Sequence, residues 1–74
     1  MDAYLFVWET SSWERKMGYC YSKEKADKID KAFLSLLGKG KIDWHVRIRV
    51  EGYNLSFPGL TPIDVELLEK EAFG

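Results

Sequence analysis

The sequence predicts a small α+β domain in which an antiparallel sheet of two β-hairpins combines with two helices, in the order β-β-α-β-β-α. Residues 3–10 and 15–21 are rich in β-branched and aromatic side chains, which favours strands. Residues 22–38 repeat apolar side chains at helical spacing, and residues 42–50 alternate between apolar and polar side chains. A chain of 74 residues is the size of one domain, so we expect a single compact unit over 1–74.

The first two strands are expected to form a hairpin around residues 11–14. A four-residue loop places Glu9 opposite Lys16, whereas a two-residue loop places Glu9 opposite Glu14, a like-charge pair that destabilises a sheet. We therefore predict the four-residue loop. In that register one face of the hairpin carries the bulky side chains Tyr4, Phe6, Trp8, Met17, Tyr19 and Tyr21.

The first helix is the most strongly indicated element. Ser22 is a favourable N-cap residue, and Gly38 is a favourable residue to end the helix. The apolar stripe expected to face the core consists of Ala26, Ile29, Phe33, Leu36 and Leu37.

The second half of the chain predicts another hairpin and a second helix. A turn at Glu51-Gly52 would join residues 42–50 to the alternating residues 53–57, although Glu-Gly is a weaker turn signal than Asn-Gly and an irregular loop is the alternative. After Pro58 and Gly59, we expect Thr61 to cap a helix that begins at Pro62.

The first strand is unusual because both of its faces are apolar. We expect Tyr4, Phe6 and Trp8 to pack with the row Ile42–Val50 beneath the first helix. The reverse face would then carry Ala3, Leu5, Val7, Gly18 and Cys20 beside Asp43, His45, Arg47 and Arg49. Two interpretations remain open for this face: the C-terminal helix folds over it, or a second copy of the chain or another protein covers it.

Composition argues against several functional classes. The formal charge is −1, with 11 basic and 12 acidic residues, which is not the charge of a generic nucleic-acid binder. No run approaches the roughly 18 apolar residues of a membrane span. A secretory signal is not expected, and the single cysteine allows no internal disulfide, so a cytoplasmic location is expected.

No constellation in the sequence predicts an enzyme. His45 and Cys20 are the only histidine and cysteine, and no orienting group or oxyanion site accompanies them. One Cys and one His also give no recurring metal-ligand spacing. We therefore expect no catalytic residue, no cofactor and no metal.

The sequence favours a non-enzymatic protein-interaction module. Trp13 lies at the hairpin tip among small polar residues, and tip tryptophans are frequent interface anchors. The predicted partner-binding residues are Leu5, Val7, Trp13, His45, Arg47 and Arg49. Compact proteins of this composition are often accessory or inhibitory factors of phages and mobile elements, so a role of that type, with a protein partner or as a homodimer, is the working hypothesis.

The alternative hypothesis is a single-stranded nucleic-acid-binding module. If the faces were inverted, the third-strand residues His45, Arg47 and Arg49 would lie beside five exposed aromatic residues, namely Tyr4, Phe6, Trp8, Tyr19 and Tyr21. Aromatic rings flanked by arginines stack single-stranded bases on several small sheets.

Overall fold

The computed structural model describes residues 2–51, 55 and 58–74. Its elements are β1 (Asp2–Thr10), β2 (Arg15–Cys20), α1 (Lys23–Gly38), β3 (Ile42–Glu51), β4 (Leu60–Pro62) and α2 (Val65–Phe73). The α+β class and the element order are confirmed. The prediction of a purely antiparallel sheet was wrong: the strand order is β3-β1-β2-β4, and β4 runs parallel to β2.

The fourth strand lies later in the chain than predicted. Four of the residues predicted to form it, 53–54 and 56–57, lie outside the described residues, as does Gly52 of the predicted turn. The described fourth strand instead pairs with the free edge of β2, where Met17 lies opposite Leu60. Thr61 and Pro62 therefore belong to a strand, and α2 begins after Asp64, whose carboxylate accepts a hydrogen bond from the Leu67 backbone N–H at 3.2 Å.

The register of the first hairpin differs by one residue from the prediction. Glu9 lies opposite Arg15, not Lys16, and the Thr10 backbone N–H donates to the Glu14 carbonyl at 2.9 Å. Trp13, with φ of 66°, closes a three-residue loop by donating its N–H to the Thr10 carbonyl. Glycine usually occupies such a left-handed position, so the sequence carries no signal for this loop.

This register reverses the two faces of β2. Phe6 lies opposite Gly18 and Tyr4 opposite Cys20, so the small residues of β2 share a face with the bulky residues of β1. Gly18 leaves room for the side chain of Ile63, with which a β-carbon at position 18 would collide. The close approach explains why a glycine lies in this strand.

Both helices pack on this same face of the sheet. The Ser22 hydroxyl caps α1 by accepting from the Lys25 N–H. Ser35 Oγ of α1 donates to the Ala72 carbonyl of α2 at 2.8 Å, which ties the two helices together. The buried cluster consists of Tyr4, Phe6, Cys20, Ala26, Ile29, Ala32, Phe33, Leu36, Ile42 and Ala72. Within the described ranges, no helix is both long enough and apolar enough to cross a membrane.

The face of the third strand that points toward the helices is also the opposite of the one predicted. Because Phe6 lies opposite Arg47 and Trp8 opposite His45, the polar row of β3 faces the helices. The apolar row from Trp44 to Val50 faces away from them. Ile42 is the exception, because it is buried in the core. Trp44 pairs with Glu9 and Ile42 pairs with Thr10, so the strand has one extra residue, Asp43, between these pairs. This irregularity accompanies the burial of Ile42.

Candidate protein-interaction surface

The side of the sheet away from α1 and α2 is called the open face here. Alternation along three antiparallel strands brings one set of side chains to it. Its apolar residues are Ala3, which is fully buried, and Leu5, Val7, Met17, Tyr19, Trp44, Val46, Ile48 and Val50. A sheet with helices on one side alone normally carries polar residues on the other, so this apolar composition requires an explanation.

Several side chains of the open face are exposed to solvent. Val46 and Ile48 on the edge strand are 44% and 47% exposed, and Met17 is also exposed. An apolar hollow of about 300 Å³ lies between the strands, and the side chains that line it include Leu5, Val7, Met17, Ile48 and Leu60. The open face therefore offers both exposed apolar surface and a recess that an apolar side chain of a partner can fill.

The hairpin end of the open face carries its polar groups. The Arg15 guanidinium lies over the Trp44 ring, 5.4 Å from the centroid, and its Nη2 is 3.5 Å from Glu9 Oε2. Arg15 and Glu9 form a polar margin beside the apolar surface. An apolar centre with a polar rim is the usual composition of a protein–protein interface.

Trp13 projects at the hairpin tip and is 83% exposed. Its left-handed backbone costs a non-glycine residue roughly 1–2 kcal/mol, and the exposed ring gains little burial in return. Trp13 thus lowers the folding stability of the domain.

The structure separates the six predicted partner-binding residues into three places. Leu5 and Val7 lie on the open face, and Trp13 lies at the tip. The three basic residues His45, Arg47 and Arg49 lie on the helix side of β3, so the prediction that they flank Leu5 and Val7 was wrong. The apolar row of β3 lies on the open face, whereas its alternating pattern predicts a row packed in the core.

Arg47 is held by two carboxylates of α1. Its Nη1 donates to Asp27 Oδ1 at 2.9 Å and to Asp30 Oδ2 at 2.6 Å, and its guanidinium lies 4.9 Å from the Tyr4 ring centroid. The hydrogen bonds to Asp30 and Asp27 raise the pKa of Arg47, while those from Arg47 and Lys23 lower the pKa of Asp27. This network accounts for a polar strand face lying beneath a helix.

The other two basic residues differ in exposure. His45 Nε2 lies 3.5 Å from Asp30 Oδ1, and its ring packs against Phe33 with centroids 5.2 Å apart. Arg49 is 70% exposed at its side chain and lies 3.6 Å from Asp2 Oδ2. Of the three predicted basic residues, Arg49 alone presents most of its side chain to solvent.

Cys20 has the environment of a structural thiol. It is buried, and its Sγ donates to the Ser22 carbonyl at 3.5 Å. Burial raises the pKa of the Cys20 thiol, which reduces the thiolate fraction needed for nucleophilic attack. In the parts of the chain that the structure describes, no three His, Cys, Asp or Glu side chains are grouped as metal ligands would be.

A second recess, a cleft of about 720 Å³, lies on the other side of the sheet beside α2. Trp8 and Leu68 contribute apolar walls, while Lys16, Lys41 and Glu71 contribute charges of both signs. This mixture of apolar, basic and acidic side chains does not indicate a single class of ligand. The open face is therefore the better-defined candidate site.

Comparisons with protein-family models, with curated proteins and with solved structures find no match to this chain. The functional interpretation consequently depends on the geometry described above.

Proposed function

We propose that this protein is a non-enzymatic interaction module that binds another protein through its open face, with Trp13 as an additional anchor. The observation that carries the proposal is the apolar side of the sheet left uncovered by α1 and α2, with Val46 and Ile48 about half exposed. Burying such surface is the dominant favourable term in most protein association.

The free energy gained by burying these apolar side chains is sufficient for binding. Full burial of a valine, leucine or isoleucine side chain contributes about 1.5–3 kcal/mol, so covering a half-exposed side chain contributes about half as much. Several such contacts, with one tryptophan anchor, can offset the entropy lost on association. The apolar hollow beside Ile48 would receive a side chain of the partner.

A role as an accessory or inhibitory protein follows from this mode of action. A domain of 74 residues with an apolar sheet side that α1 and α2 leave uncovered acts most directly by covering a surface of its partner. The phage or mobile-element type of accessory protein, suggested by the small size and composition, is part of this proposal.

The nucleic-acid alternative has weaker support. Tyr4 and Phe6, which the alternative needs on a stacking platform, are buried beneath the helices. Arg47 is engaged by Asp27 and Asp30 instead of facing solvent beside a ring platform. We therefore expect no saturable, salt-sensitive binding in a fluorescence titration with single-stranded oligonucleotides.

A capture experiment with matched variants tests the proposal. The purified protein is immobilised, exposed to native-host lysate, and the retained proteins are identified and quantified. We expect one dominant partner, which is then purified and titrated. Ile48→Lys, on the open face, should weaken its binding by about tenfold or more because a charge replaces apolar contact. Trp13→Asn should also weaken binding while leaving the domain equally or more stable, since asparagine tolerates the left-handed backbone better.

The control is Leu67→Lys on α2, which introduces the same charge at a side chain 57% exposed on the opposite side of the domain. Circular dichroism melting verifies that each variant is folded. If a folded Ile48→Lys protein binds the partner as tightly as the wild type and the Leu67→Lys protein do, the open face is not the binding surface.

A further inference from the structure

We draw no further inference here: the strongest candidate, the outer edge of β3, which among the described strands pairs with β1 alone, carries an extra residue at Asp43 and charged side chains that point toward α1, and nothing in the structure shows what covers it.

Discussion

Replacement of Phe33 by alanine is expected to remove a large part of the free energy of unfolding of the domain. Phe33 is fully buried, and its ring centroid lies 5.8 Å from that of Phe6 and 4.8 Å from that of Trp8. It is one of the α1 side chains that pack into the core against the sheet. Truncating a buried phenylalanine costs about 3–5 kcal/mol, because both the apolar transfer energy and the packing around the cavity are lost.

That loss is large compared with the stability of a domain of this size. At about 0.05–0.15 kcal/mol per residue, 74 residues correspond to a total of roughly 4–11 kcal/mol. Urea unfolding followed by tryptophan fluorescence measures the difference. Leu34→Ala, the adjacent position on α1 with an exposed side chain, is the control and should shift the free energy of unfolding by no more than about 0.5 kcal/mol. An equal effect at both positions would contradict the described packing of α1.

The second large loss of folding stability is expected when Arg47 is replaced. Its side chain is 25% exposed and donates to two carboxylates, and Arg47→Ala removes both hydrogen bonds. Hydrogen bonds to charged groups contribute about 1.5–3 kcal/mol, and partial solvent exposure places the expected cost toward the lower end of that range. Arg49→Ala on the same face of the same strand is the control; its exposed pair with Asp2 should cost about 0–1 kcal/mol.

The stability that Arg47 contributes is expected to depend on pH. The hydrogen bond from Arg47 is the largest cause of the lowered pKa of Asp27, whose ordinary value is 3.8. A carboxylate with a depressed folded-state pKa contributes stability above its unfolded pKa, and that contribution is lost as pH falls through the folded value. The difference in unfolding free energy between wild type and Arg47→Ala should therefore be constant from neutral pH to about pH 5 and shrink below about pH 4. A difference that grows on acidification would show that Asp27 is not paired with Arg47.

The sequence identifies elements with strong local signals. Ser22 and the stripe from Ala26 to Leu36 predict α1 because capping and helical periodicity are local properties. The alternation of residues 42–50 predicts β3 for the same reason. The α+β class and the order of elements follow from these local patterns.

The assignment of faces depends on interactions that local patterns do not reveal. In the first hairpin, Trp13 takes a left-handed conformation that its side chain gives no reason to expect, and one residue of register then reverses β2. In β3, the polar row packs beneath α1 because Asp27 and Asp30 are placed to bind Arg47. Complementarity between residues 17 to 20 positions apart is not visible in the alternation of either segment.

Only part of the candidate site was predicted, because the rest depends on the pairing between distant strands. Leu5 and Val7 were correctly placed on the face of β1 away from the first helix, because β1 has two apolar faces and the bulkier one fills the core. The polar neighbours of Trp13 indicated a position at the hairpin tip, but they left open whether its ring packs back over the hairpin; the ring is 83% exposed. The contribution of Val46 and Ile48 required the observed register of β3, which only the pairing with β1 defines.

Methyl NMR with a soluble nitroxide tests the central structural claim, that the apolar row of β3 faces solvent on the open face. With isoleucine methyl labelling, the resonance of Ile48, 47% exposed, should broaden strongly as nitroxide is added. The resonances of the buried Ile29 and Ile42 should remain sharp. Protection of Ile48 equal to that of Ile29 and Ile42 would show that the open face is covered and would contradict the account of how this protein binds its partner.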